Sequence, residues 1–116
     1  AFHSKLMQPA ADAIAAAFTA IPFAPPTVPF YTNLTGEPLA EGTDMAQYCA
    51  KHCVSPVRFA QELQNLYAAG FDTYIELGPK KVLTSFVKQT LKDVDMHTVT
   101  DPDSLEETVT CLKHTD

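Results

Sequence analysis

Apolar residues at Leu6, Met7, Ala10, Ile14, Ala17, Phe18 and Ile21 recur mostly every three or four positions, which sets them along one side of an amphipathic helix over residues 6–20. Pro9 suits its first turn, where a proline removes no bond the helix would have made, so His3 lies in a turn just ahead of it. Pro22, Pro25, Pro26 and Pro29 forbid helix and ladder bonds alike. They predict an extended surface run before a strand over 28–34, closed by the turn N-L-T-G-E at 33–37. Asp44 caps a predicted helix over 45–53. Ser55, with Pro56 at the first helical position, opens another, with Phe59, Leu63, Leu66 and Tyr67 on one side and Gly70 as its left-handed stop. The stretch T-Y-I-E-L at 73–77 predicts a strand bounded by Gly78-Pro79, and Val82, Leu83, Phe86, Val87 and Leu91 mark a further amphipathic helix. Residues 97–99 form a short strand, and D-P-D-S at 101–104 opens the last helix, with Ser104 and Glu107 as a capping box. Strands alternating with helices of this length define the α/β class, with a parallel sheet covered on both faces.

Composition narrows the partners. Of 116 residues, 46% are hydrophobic and 19% charged, the balance of one globular domain. No apolar run reaches the roughly 18 residues of a membrane span, and the start lacks the order of a signal peptide, so a soluble chain without a membrane partner is expected. Eight Lys and Arg against fourteen Asp and Glu give a net charge of −6, which argues against nucleic acid as partner. Cys49, Cys53 and Cys111 are too few and odd in number for a disulfide framework, which favours a cytoplasmic location. With no initiator Met and no strand ahead of the first helix, the chain reads as a fragment.

Taken from the residues alone, His3 is a surface or capping histidine, because a general base also needs a nucleophile in reach and a partner for its other nitrogen. Ser4 is read as a helix cap rather than that nucleophile, since adjacent side chains in an extended turn diverge. In C-A-K-H-C, Cys49, His52 and Cys53 share a helix, yet a closed zinc site needs four ligands and no second cluster exists, so no metal is expected. Four of the eight basic residues, Lys80, Lys81, Lys88 and Lys92, gather around the helix after Gly78-Pro79. Their plain role is a solvated face, and their sharper one a contact with an acidic protein or phosphorylated carrier. Neither G-x-G-x-x-G nor a P-loop occurs, which removes support for nucleotide hydrolysis.

The opening A-F-H-S-x-L-M-x-P, then P-x-V-P-F-Y-T-N-L-T-G-E-P, V-S-P-V-R-F and Y-I-E-L-G-P-x-K-V-L, together spanning about residues 1–92, resemble the C-terminal part of malonyl-CoA:acyl carrier protein transacylases and of acyltransferase domains of polyketide and fatty acid synthases. The resemblance implies an α/β-hydrolase-like large subdomain with a three-layer α/β/α arrangement and a ferredoxin-like insertion. Residues 1–116 would form the segment that follows the insertion. By the same resemblance His3 is the catalytic base and acid, paired with a serine in a G-H-S-x-G elbow, and the backbone carbonyl at His52, where many relatives carry glutamine, steadies it. Because that contact is main chain, the side-chain difference is expected to matter little. Phe2 implies selection of malonyl over a branched acyl group, and Asn33 either supports the site or simply serves its turn. Lys80 stands where relatives often have glycine in G-P-G-K.

The implied reaction moves a malonyl group from malonyl-CoA to the phosphopantetheine thiol of acyl carrier protein through an acyl-serine, with no cofactor beyond these substrates. No G-x-S-x-G is present, and the arginine that pairs with the malonyl carboxylate in the family has no match at Arg58. The chain therefore supplies the histidine only. It is expected to be inactive alone and to associate with the missing N-terminal part of the enzyme or with itself. The alternative is a non-catalytic module whose lysines dock an acidic carrier protein.

Overall fold

The structure, a computed structural model, describes residues 2–114. In chain order it contains α1 (Gln8–Phe18), α2 (Met45–Val54), α3 (Phe59–Ala68), β1 (Thr73–Leu77), α4 (Val82–Thr90), β2 (Asp95–Val99) and α5 (Pro102–Lys113), with a 3-10 turn at Lys5–Met7 ahead of α1. The chain divides into two compact units, Ala1–Glu62 and Leu63–Asp116.

In the first unit α1 packs against α2. The buried residues of the two helices are Ala11, Ala46 and Ala50, and such short side chains let helix backbones approach closely. Pro9 falls in the first turn of α1, as its missing N–H predicts, and Ser4 takes the extended capping conformation, its carbonyl accepting the Met7 N–H at 3.0 Å. Asp44 caps α2 by accepting the Gln47 N–H at 3.2 Å.

The strand predicted over 28–34 does not form. Pro29 removes one ladder donor, and among the described residues the stretch pairs through one antiparallel bridge, Tyr31 to Pro38, which closes around the N-L-T-G-E turn, with Leu39 donating to Phe30 at 2.7 Å and Thr32 to Glu37 at 3.0 Å. Nor does Ser55 open a helix. Ser55 ends α2 with the extended backbone that a residue before proline adopts, and the helix is not begun there because the Arg58 N–H is drawn to the Asn33 carbonyl at 2.8 Å. Helix α3 starts only at Phe59, with the Glu62 N–H reaching back to the Arg58 carbonyl at 2.9 Å.

In the second unit β1 and β2 pair in parallel, Thr73 opposite Asp95 through Leu77 opposite Val99. Helix α4 lies against both strands and α5 against β2, with Val87, Leu91, Thr84 and Thr108 buried. Gly70 ends α3 at φ 96°, and the Phe71 N–H returns to the Leu66 carbonyl at 3.1 Å. Lys80 also adopts a left-handed φ of 74°, which accounts for a glycine being suited to that place in the turn.

Helix α4 receives its cap from the neighbouring strand. Glu76 accepts the Leu83 N–H at 3.1 Å, the Thr84 N–H at 2.7 Å and the Thr84 hydroxyl at 2.6 Å. The Thr84 hydroxyl, and then the backbone amides, hold its carboxyl below the usual carboxylate range against the opposing effect of burial. The last helix is capped one turn earlier than predicted. Asp101, not Ser104, is the N-cap, accepting the Ser104 N–H at 2.9 Å while the Ser104 hydroxyl accepts the Asp101 N–H at 3.1 Å, because Pro102 settles at the first helical position.

Gly36 closes the N-L-T-G turn at φ 75°, and a Cβ there would stand 2.9 Å from Gln61 Cγ and 3.0 Å from the Glu62 nitrogen. Gly42 has nearly the same φ, 74°, and open space around it. Gly36→Ala is therefore expected to destabilise the chain by about 2 kcal/mol or more, and Gly42→Ala by about 1 kcal/mol, the left-handed penalty alone. Urea unfolding of both variants checks this, and equal costs would refute the close approach.

Candidate active site

The last turn of an α-helix leaves carbonyl groups without partners inside the helix. At the end of α2 two of them are taken by a single residue from the start of the chain. The backbone N–H of His3 donates to the Cys53 carbonyl at 3.0 Å, and its Nδ1 lies 3.1 Å from the His52 carbonyl. The Ser55 N–H also reaches the His52 carbonyl, at 3.4 Å. A carbonyl oxygen carries no proton, so Nδ1 is the donor and the neutral ring keeps its lone pair on Nε2. His3 pays for this grip with a left-handed backbone, φ 61°, which is rare for a residue with a Cβ and collects at functional positions.

His52 brings its ring as well as its carbonyl. The ring centroids of His3 and His52 are 5.1 Å apart with planes 49° apart, and on α2 the ring of Tyr48 stacks with that of His52 at 6.2 Å and 22°. Nε2 of His52 is buried and has no hydrogen-bond partner. Burial, and secondarily the charge of His3, push the His52 imidazole below the usual histidine range, so its neutral form is favoured. Burial raises the Tyr48 hydroxyl, opposed by its hydrogen bond with Thr32, and the charges of Cys49 and Glu62 add to the rise. Thr32 is only 3% exposed and shares a hydrogen bond with Thr35 at 3.0 Å. Glu62 has its own buried oxygen, Oε2, without a hydrogen-bond partner, and burial raises its carboxyl.

Of the residues singled out from the sequence, His3 and His52 thus meet. Asn33 sits half-buried in its turn, and its carbonyl ties the turn to the segment before α3 through Arg58. Phe2 is 76% exposed. Lys80, Lys81, Lys88 and Lys92 are exposed residues of the second unit. Cys49 and Cys53 are half-buried free thiols, burial raising the former, and Cys111 is exposed. Sequence reasoning missed the ring of His52 and its support from Tyr48. The signal available was their spacing of four on a predicted helix, which stacks side chains on one face.

Two clefts open in the first unit. One, of about 940 Å³, is lined by Phe18, Ile21, Phe23, Val28 and Phe30 among others, and the second, of about 530 Å³, by Thr32, Glu37, Asp44, Tyr48 and Lys51 among others. Neither is lined by His3 or His52. Among the described residues no group of three or more His, Cys, Asp and Glu is placed to hold a metal ion, and no helix is long and apolar enough to cross a membrane.

Comparison with known proteins places this geometry in context. The acyl transferase domain family matches residues 1–109. The malonyl CoA-acyl carrier protein transacylase of Bacillus subtilis is 34% identical over 112 residues, which is 97% of this chain and 35% of that protein. The crystal structure of the malonyl CoA-acyl carrier protein transacylase from Clostridium perfringens superposes with a TM-score of 0.90 at 31% identity, over 97% of this chain and 35% of that one. A malonyl-transacylase solved with a type II polyketide synthase acyl-carrier protein is similar too, with a TM-score of 0.87 at 25% identity, over 95% of this chain and 36% of that one. The α/β class expected from the sequence is that of these structures. The chain spans about 35% of the length of these relatives.

His52 gives the site a pH signature. Its imidazole is harder to protonate in the folded chain than in the unfolded one, which takes up a proton near pH 6.5. Stability is therefore fully present above about pH 6.5 and falls as the pH drops toward the depressed folded value. The slope stays under the one-proton limit of about 1.4 kcal/mol per pH unit, and partial solvation of the ring lowers it further. His52→Gln removes this contribution. Urea unfolding at pH 7.5 and 5 should show a smaller acid-side loss in the variant, and identical losses would contradict the neutral buried ring.

Proposed function

The chain belongs to the acyl transferase domain family, and on that premise we propose that residues 1–116 are the C-terminal segment of a transferase that moves malonyl groups from CoA to the phosphopantetheine thiol of acyl carrier protein. The setting is fatty acid or polyketide biosynthesis in the cytoplasm. One observation carries the reading: the Nδ1–H of His3 is donated to a fixed carbonyl, which leaves Nε2 as the acceptor. A histidine held in this tautomer can take the proton of a serine hydroxyl as the serine oxygen attacks the malonyl thioester carbonyl. The tetrahedral adduct then breaks its C–S bond, and the imidazolium returns the proton to the departing CoA sulfur. In the second half the carrier thiol gives its proton to Nε2, its sulfur attacks the acyl-serine, and the serine oxygen leaves with that proton.

The serine comes from outside these residues, which contain no G-x-S-x-G. The chain by itself therefore performs no turnover, and no cofactor is required. Phe2, next to His3, narrows the space beside the α-carbon of the acyl group once the rest of the enzyme closes over it, which favours malonyl. Asn33 supports the site through the turn it anchors. Lys80, Lys81, Lys88 and Lys92 steer the acidic carrier protein, consistent with their exposure.

Malonyl transfer from malonyl-CoA to carrier protein by the intact enzyme tests the assignment. His3→Ala is expected to lower kcat by about 10² to 10⁴, the range for loss of a general base. Transfer at the wild-type rate would remove His3 from the mechanism. Lys88→Glu with Lys92→Glu should raise KM for the carrier at low salt, with the difference fading as salt rises; a salt-independent effect, or none, would refute steering.

A further inference from the structure

We propose that the imidazole of His52, and not its carbonyl alone, is a positioning residue for His3: the stacked rings of Tyr48 and His52 fix the plane of the His3 imidazole. The proposal rests on His3 being the base of the transfer reaction. The bond at Nδ1 and the tether through Cβ set the direction of the ring, but a hydrogen bond tolerates misalignment of about 30°, so the tilt of the ring stays loosely set. A base that must aim Nε2 at a hydroxyl gains from a second contact beside the ring.

The structure places one there. The ring of His52 lies 5.1 Å from that of His3, and Tyr48 backs it at 6.2 Å. Tyr48 is in turn held by its hydrogen bond with the buried Thr32, whose hydroxyl meets that of Thr35. A line of side chains thus runs from the N-L-T-G turn to the base. Nε2 of His52 has no hydrogen-bond partner, so that end of the ring adds shape and no polar bond.

The brace works only while it is neutral, because a second cation 5.1 Å from the imidazolium formed in catalysis would oppose it. The surroundings keep it so. Helix α1 offers Asp12 as its single titratable residue, exposed and bonded to Gln8 Nε2 at 2.8 Å. The 3-10 turn offers the exposed Lys5, α2 itself offers Tyr48, Cys49, Lys51 and Cys53, and Glu62 acts on Tyr48. The charge that bears on His52 is that of His3.

The test is malonyl transfer by the intact enzyme across pH, with His52→Ala, which keeps the carbonyl and removes the ring, and His52→Phe, which keeps a flat ring and cannot ionise. His52→Ala should lower kcat about tenfold while KM for malonyl-CoA stays within about twofold, and His52→Phe should recover kcat to within about threefold of wild type. Full kcat in His52→Ala overturns the proposal, as does a His52→Phe variant no better than alanine. Should the alanine variant fail to fold, His52→Leu against His52→Phe decides: equal kcat refutes a role for the flat ring. Nitrogen-15 resonances of His3 give a readout independent of turnover. If wild type transfers no malonyl, the functional reading falls, and the brace stands if the His3 signals shift or split in His52→Ala and falls if they do not.

Discussion

The end of α2 holds this site together. A helix cannot satisfy its final carbonyls, and their partial negative charge makes that end a natural place for a donor. His3 supplies two donors from one residue, its amide to Cys53 and its ring nitrogen to His52. The left-handed backbone at φ 61° costs about 1 kcal/mol. Two hydrogen bonds of roughly 1 kcal/mol each offset it. The geometry also depends on small residues, because the alanines between α1 and α2 bring the start of the chain close enough to the α2 terminus for both bonds to form.

A comparable device organises the second unit with the opposite sign. Where α2 presents carbonyls and receives donors, α4 presents amides and receives a carboxylate from β1, Glu76, which bonds two of them and the Thr84 hydroxyl. In each case a helix end is completed by a residue that secondary structure alone would not bring there. In the second unit the contact joins a strand to the helix that follows it; in the first it joins residues 49 positions apart.

That difference explains what could be read in advance. Features fixed by neighbours in sequence were legible: Asp44 as a cap, Gly70 as a stop, T-Y-I-E-L as a strand and the α4 pattern all occur as periodicity and capping chemistry require. Features fixed across the chain were not. Ser55 and Pro56 satisfy every local rule for a helix start, yet a hydrogen bond from Arg58 to Asn33 holds the backbone out of the helix until Phe59. Val28 to Leu34 has the residues of a strand and, among the described residues, no partner to pair with beyond Pro38. At the site, the motif resemblance points to His3 and to the carbonyl of His52, and a main-chain contact carries no information about the His52 ring. Its nearness to His3 arises from the angle at which the chain start meets α2, and no spacing rule encodes that angle.

The second unit carries the same lesson into packing. Parallel strands are stable when both faces are covered, and two strands alone rarely suffice. Here Leu77 is 76% exposed and Ile75 42%, and Val82, Leu83 and Phe86 on α4 are each about half exposed. Exposed apolar side chains that cluster around a two-stranded sheet are a surface awaiting a neighbour rather than a finished face. On the proposed function the histidine has a matching need, since a base held in one tautomer, with Nε2 left as an acceptor, acts only on a hydroxyl supplied to it. On that reading packing and chemistry make the same demand, for polypeptide that covers the sheet and provides the nucleophile. A chain matching only about 35% of the length of its relatives leaves ample sequence in such proteins to meet both.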